Sequence, residues 1–395
     1  MANSFTFNQI ASILNTIVQD AQGRTNNSTP VARNTSQFVT QATTALQGGL
    51  DPIMGSITQL IAKTIFSVRP YRGKLRLLDM DSLTYGNTVR KITPIFIDSA
   101  ENQPMYNAQP ADGLSTDQWT IKRPKVLQTM FTGFEQYMVQ APTVFEDQLK
   151  SAFRGPEELG DFLSSQATAV QNELNQQKET LARNTVANMI GAKNIIDNAN
   201  VIDVLALYNS ETGLSLTATD VYQPANFSAF VQWFYAFVEK ISGLLEERTV
   251  SFHMALTGYT VVRHTPKRDQ RLLMYNPMLQ KITTMSLAGL YNESLLKMDV
   301  TEGVNFWQDF NYPDRISVTP SYTKADGTID TGTAQNVSNI LGVLYDREAM
   351  GINVALDKAN TTTMNAKGRY WNTYYHMTKR FYNDLTENCV IFTLG

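Results

Sequence analysis

The apolar positions change period several times along the chain, and each change marks an element. Phe7, Ile10, Leu14 and Ile17 recur at spacings of three and four, the period of one face of a helix. Around them, up to about residue 45, the chain is rich in Asn, Thr, Ser and Gln, and "QGRTNNSTPVARNTSQF" holds too little apolar content to fold alone. Residues 1–45 therefore read as an extended arm with one short helix, ordered by lying on something else such as a neighbouring subunit. A frayed terminus is the alternative.

From about residue 66 to 140 the period shortens. "TVRKITPIFI" and "QWTIKRPKVLQTMFTGF" are rich in Val, Ile, Thr and aromatics and read as strands. Between them "DSAENQPMYNAQPADGLSTDQ" is loaded with Pro, Gly and Asn, so the region is expected to be a long hairpin or loop that projects from the core. Its tip carries Asp98, Glu101, Asp112 and Asp117 and no Lys or Arg; Arg72, Lys74 and Arg76 lie on one flank and Lys122, Arg123 and Lys125 on the other. An acidic tip and a basic base would complement one another between copies of the chain; solvated charges on an ordinary loop explain them as well.

Residues 156–193 then run with no internal proline, Gly160 and Gly191 being their weak points. Pro156 suits a first helical position, Glu157, Glu158 and Asp161 suit the positive N-terminal end, and Arg183 and Lys193 suit the negative end. Leu159, Leu163, Val170, Leu174 and Leu181 trace one face, extended by Val186, Met189 and Ile190. The rest is mostly neutral amide and hydroxyl, a surface neither membrane-seeking nor highly charged. A coiled coil is the ordinary reading of such a stripe, but too few clean heptads support it. The helix would be about 55 Å long, more than a small domain is wide.

Beyond residue 200 the pattern is mixed: a helix in "NFSAFVQWFYAFVEKISGLLEE", a strand in "RTVSFHMALTG", a helix in "YTVVRHTPKRDQRLLMY" and strand-like "RISVTPSY". This reads as a separate lobe of helices and strands. The tail ends in aromatic and β-branched strands, and no repeat of fixed period appears.

Composition narrows the function without naming it. With 395 residues, 43% hydrophobic and 17% charged, the chain can bury a substantial core and the length favours more than one domain. The formal charge of −3 gives no bulk pull toward nucleic acid or anionic lipid. One cysteine, Cys389, excludes a disulfide framework within the chain and fits a reducing compartment. No signal-peptide pattern and no membrane-length apolar run is present.

Phosphate-cradling, dinucleotide, nucleophile-elbow and zincin motifs are all missing. His253, His264 and His376 have no His or Cys at ligand spacing, so no metal or cofactor is expected. Asp79 and Asp81 form a D-x-D that binds a metal-nucleotide complex in some transferases, but alternate residues of a solvent-facing strand explain it equally. Lys267, Arg268 and Arg271 cluster beside His264; a phosphate-binding patch competes there with a solvated helix face or a subunit contact, and no nucleic-acid motif accompanies it. Cys389, in "NCVIFTL", reads as small core filler.

This order of a polar arm, a long β-loop, one very long helix, a mixed lobe and returning strands, with "VLYDREAMGINVAL" and "RYWNTYYHMTKRFYNDLTENCVIFTL" at the end, resembles the major capsid proteins of tailed bacteriophages. Their Hong Kong 97-like fold is also used by encapsulins. The resemblance implies an α+β subunit: N-terminal arm 1–45, extended loop 66–130, and axial domain 200–340. A peripheral domain would comprise 46–65, 131–199 and 341–395, including the spine helix 156–193, with a last strand closing it. The helix would bridge the two lobes of a flat tile and set its reach.

The resemblance also implies a structural protein, not an enzyme, assembling through pentamers and hexamers into an icosahedral shell around double-stranded DNA held by non-specific contact. Scaffolding, portal and minor capsid proteins are the implied partners; the virion capsid, after assembly in the host cytoplasm, is the implied location. The charged residues named above, from Arg72 to Lys125 and 267–271, would be interface candidates. Some relatives join a loop lysine to a peripheral asparagine; no motif fixes such a pair here. A cargo-enclosing compartment and, further off, a metal-dependent enzyme using Asp79/Asp81 are the alternatives.

Overall fold

The computed structural model describes residues 6–21, 32–47, 50–64, 75–79, 89–94, 126–131, 133–256, 261–285, 301–324 and 328–395. Helices α1 (Phe7–Ala21), α2 (Thr35–Gln47) and α3 (Leu50–Thr64) come first, then a hairpin of β1 (Val89–Pro94) and β2 (Val126–Phe131), and β3 (Phe134–Gln140). The short β4 (Val144–Phe145) and α4 (Glu146–Ala152) lead into α5 (Pro156–Ile196). After it come β5 (Val201–Asp203), α6 (Val204–Thr212), α7 (Ala218–Val221), α8 (Pro224–Glu246), β6 (Gln270–Tyr275), α9 (Asn276–Met285) and β7 (Thr301–Val304). Four short strands follow, β8 (Ile316–Val318), β9 (Ser321–Thr323), β10 (Ile329–Thr331) and β11 (Gln335–Val337). The chain closes with β12 (Ile340–Asp346), β13 (Met350–Thr361), β14 (Tyr370–Trp371), β15 (Thr373–Asn383) and β16 (Cys389–Thr393).

The long helix starts at Pro156, as its N-terminal signals predict, and its 41 residues span about 60 Å. Its apolar stripe is divided between two cores. Leu159, Leu163, Ala167 and Val170 join α1–α3, Trp371, Tyr375 and Met377 in one; Leu181, Val186, Met189 and Ile190 join Ile316, Val343, Ile352 and Ile391 in the other. Gly191 is a close approach: a Cβ there would meet Val318 Cγ1 at 2.7 Å.

The second core is one side of a five-stranded sheet ordered β5-β16-β12-β6-β7. Residues alternate between its faces, as the twofold period of a strand requires. Leu273, Val343, Tyr345, Cys389 and Ile391 face α5, whereas Leu272, Met274, Leu344, Val390 and Phe392 face α8. On α8, Phe227, Phe230, Phe234, Val238, Ile241 and Leu245 are buried at helical spacing, and Phe234 meets Phe392 edge-on at 5.7 Å. The sheet is thus covered on both sides, which explains its continuous apolar runs.

Four expectations change. Residues 6–21 and 32–47 are not an extended arm: α1 and α2 pack on α3 and α5 of their own chain, with Ile10, Leu14, Ile17, Phe38 and Ala42 buried. Each presents enough apolar face at helical spacing to join a core it could not form alone. Within "RTVSFHMALTG", residues 248–256 hold a run of bends, with single bridge positions at Thr249, paired with Arg263, and at Leu256 in place of a continuous strand. In "YTVVRHTPKRDQRLLMY", residues 261–275 are not a helix: after Pro266 comes a single 3-10 turn, Lys267–Asp269, and then β6, because Leu272, Leu273 and Met274 must serve opposite faces. Finally, β12 and β16 belong to the sheet shared with β5, β6 and β7, and of the C-terminal strands β13–β15 alone flank the first core. The last strand therefore does not close the lobe assigned to it.

Candidate assembly surfaces

Strands β1 and β2 pair antiparallel from Val89 opposite Phe131 to Pro94 opposite Val126. At the root, Phe131 packs on Tyr382 with ring centroids 5.2 Å apart, and Phe381 donates its N–H to Gly133 O at 3.0 Å. A Cβ on Gly133 would lie 2.0 Å from the backbone carbonyl oxygen of Phe381, so only glycine permits the approach.

The β1 side is held by charge. Lys91 Nζ lies 3.1 Å from Asp384 Oδ2 and 3.3 Å from Glu348 Oε2, and contacts Glu387 Oε1. Arg263 reaches Glu387 at 2.9 Å and donates Nε–H to Thr386 O at 2.9 Å. Asp384 Oδ1 accepts from Thr386 N at 2.9 Å and Oγ1 at 2.6 Å. The turn between β15 and β16 thus presents two nearly buried carboxylates to one hairpin lysine.

Burial alone would lower the Lys91 pKa, but Asp384 and Glu387 outweigh it and hold the ammonium charged beyond its ordinary range. Burial pushes Glu387 up to about 7 in spite of Lys91 and Arg263 beside it, with Asp384 adding repulsion. Two cations thus face three carboxylates, a group that desolvation makes costly to break on one side. The pattern of the sequence did not point to it: Lys91 and Glu387 are 296 positions apart and meet only because the hairpin crosses the last turn.

Of the predicted interface residues, Arg72, Lys74, Asp98, Glu101, Asp112, Asp117, Lys122, Arg123 and Lys125 lie outside the described residues. Arg76 is exposed in a 3-10 turn, Arg76–Leu78, which Glu302 steadies by accepting Leu75 N–H at 2.5 Å. Lys267, Arg268 and Arg271 do come together, but each is engaged locally. Lys267 pairs with Glu239 at 3.5 Å, Arg268 with Asp269 at 3.3 Å, and Arg271 Nη1 donates to the Arg268 carbonyl at 2.7 Å. The helix face considered for them is a turn followed by a strand.

Asp79 is paired with Lys178 at 2.7 Å; Asp81 lies outside the described residues. Among the described residues no group of three or more His, Cys, Asp or Glu is placed to hold a metal ion, and no helix is long and apolar enough to cross a membrane. Cys389 is fully buried, and burial pushes its thiol up to about 11, far from a nucleophile's range.

Two solved structures share the fold. One is the capsid structure of Staphylococcus phage Andhra: 10% identity, TM-score 0.50, 83% of this chain and 86% of that chain covered. The other is a structure of the head fiber and inner core protein gp22 of native bacteriophage P68: 8% identity, TM-score 0.51 and the same coverage. No curated protein sequence matches. The model of one family, the Phi29-like phage major capsid proteins, matches residues 14–393. With nearly its whole length inside that match, and a phage capsid-protein fold of helices and sheets around its long helix, the chain belongs to the Phi29-like phage major capsid protein family.

Proposed function

We propose that this major capsid protein is a Hong Kong 97-like tile that closes, through pentamers and hexamers, into the icosahedral shell around the double-stranded DNA of a tailed phage. The observation that carries the reading is α5, which joins two cores over about 60 Å. That shape suits a flat tile; a compact catalytic domain has no use for it. In this reading the spine helix, α1–α4 and β13–β15 form the peripheral part. The five-stranded sheet with α6–α9 forms the axial part, and residues 66–130 form the extended loop. Their contacts with neighbours repeat by symmetry.

DNA would meet the inner face through charge without sequence preference, which counterions share. Scaffolding, portal and minor capsid proteins are the further partners we propose, with assembly in the host cytoplasm. The acidic and basic residues of 72–125 and the cluster Lys267, Arg268 and Arg271 remain proposed as intersubunit contacts. The test is negative-stain imaging coupled to sedimentation of the chain expressed alone and beside the neighbouring reading frames. Closed particles or sheets of five- and six-fold tiles are expected; a monomer in every combination, at all salt and protein concentrations, would sink the reading.

A further inference from the structure

The turn between β7 and β8 holds one aromatic ring clear of the surface. Phe310 is 80% exposed, more than any other large apolar side chain among the described residues. A lone exposed apolar residue is ordinary, but this one sits on a stiff mount. Trp307, 1% exposed, donates its backbone N–H to Pro313 O at 3.0 Å and its indole N–H to Ile340 O at 3.0 Å. Asn311 donates its N–H to Asp309 Oδ1 at 2.9 Å, and Tyr312 donates its N–H to Asp309 O at 3.2 Å. Arg315 lies over the Tyr312 ring at 3.6 Å, and Phe306 meets Phe310 edge-on at 6.1 Å. The backbone that carries the ring is thus held in place, so binding has chiefly the ring's own rotation to order.

The same chain carries a socket. Between α5, the β2–β3 root and the short strands lies an open groove of about 530 Å³, lined by Phe131, Leu181, Val318, Tyr322, Ile329 and Phe381. Ile329 on β10 is 65% exposed. Gln308 borders the groove and is tied to Ser317 by two hydrogen bonds, at 2.6 and 3.0 Å. The chain is thus clamped two residues before Phe310, and Phe310 does not fill its own groove.

We infer that Phe310 is a knob that enters the groove of a second copy of this chain, with the Tyr312 ring beside it at the rim of the contact. The inference rests on the shell reading and adds the contact residues to it. Membership of a capsid-protein family supplies the partner, since such a chain meets chiefly copies of itself. A knob and a socket on one chain can repeat from copy to copy. A buried aromatic anchor surrounded by weaker contacts is also the usual energetic centre of an interface.

The test uses full-length chain and two readouts. In the double variant Phe310→Cys, Ile329→Cys, particles are bridged with a short bis-maleimide; Cys389 is fully buried. A ladder of covalent multimers is expected only when both new cysteines are present. Particles that form normally yet give no ladder beyond that of the single variants would overturn the inference while leaving the shell reading intact. In the second readout, Phe310→Ala should raise the concentration needed for assembly at least tenfold and Phe310→Leu should restore most of it, with far-UV circular dichroism and melting temperature unchanged. An unchanged assembly threshold for Phe310→Ala would also overturn it. Wild-type chain that never assembles would instead remove the shell reading, and this inference with it.

Discussion

Lys91 sits where a change of one group has the largest consequence. Replacing it by Met leaves Asp384 and Glu387 buried without their nearest cation, and an uncompensated buried charge costs about 3–5 kcal/mol. Chemical denaturation of Lys91→Met should show a loss of that size, with faster hydrogen exchange in 126–131; a loss under 1 kcal/mol would mean the group is solvated. Glu387 adds a pH dependence. Its native pKa, about 7, lies above the ordinary 4.5, so between those values the native state holds a proton that the unfolded chain has released. Stability from this group therefore falls as pH rises from about 4.5 to about 7 and is level above; the Lys91 contribution is lost only above its ordinary 10.5. The melting temperature should drop more between pH 5 and 7.5 in the wild type than in Glu387→Gln, and parallel curves would contradict this. Little of this was legible in the sequence: charge pairs across hundreds of residues have no local pattern, whereas the buried Cys389 was readable from its apolar neighbours.

The elements were legible in proportion to how far one period ran without competition. Helix α5 showed itself by a stripe, a proline start and charged ends, and α8 by aromatics at spacings of three and four, because each buries one continuous face. Residues 261–275 misled because Leu272–Met274, in a strand buried on both faces, form a continuous apolar run that carries no twofold alternation. Gly191, a weak point by propensity, is where α5 and β8 nearly touch. An alanine there gains about 1 kcal/mol of helix propensity, but Val318, branched at Cβ, cannot easily retreat. Gly191→Val should destabilise by about 1–3 kcal/mol through overpacking, measured by thermal or chemical denaturation; a neutral result would mean that β8 swings away freely.

At the scale of the molecule, two of the described cores share one helix, with β13 and β15 running alongside through both, and a third lies between the five-stranded sheet and α8. The pattern of the sequence could not show which strands share a sheet, because those of the five-stranded one come from opposite ends of the region after α5. Sharing α5 predicts that the described parts unfold in one cooperative transition, with calorimetric and van't Hoff enthalpies equal; two separated transitions would mean that the cores are independent. The shared helix also restricts how such a chain can change in length. An insertion of five residues between Val170 and Leu181 would turn one half of the apolar stripe by about 140° relative to the other and leave one core unfilled. Seven residues turn it by only about 20° and add about 10 Å. The distance between the two cores is thus quantised: among close relatives it can grow or shrink only in steps that bring the stripe back into phase, such as about seven or eleven residues, and insertions of other sizes belong in the loops.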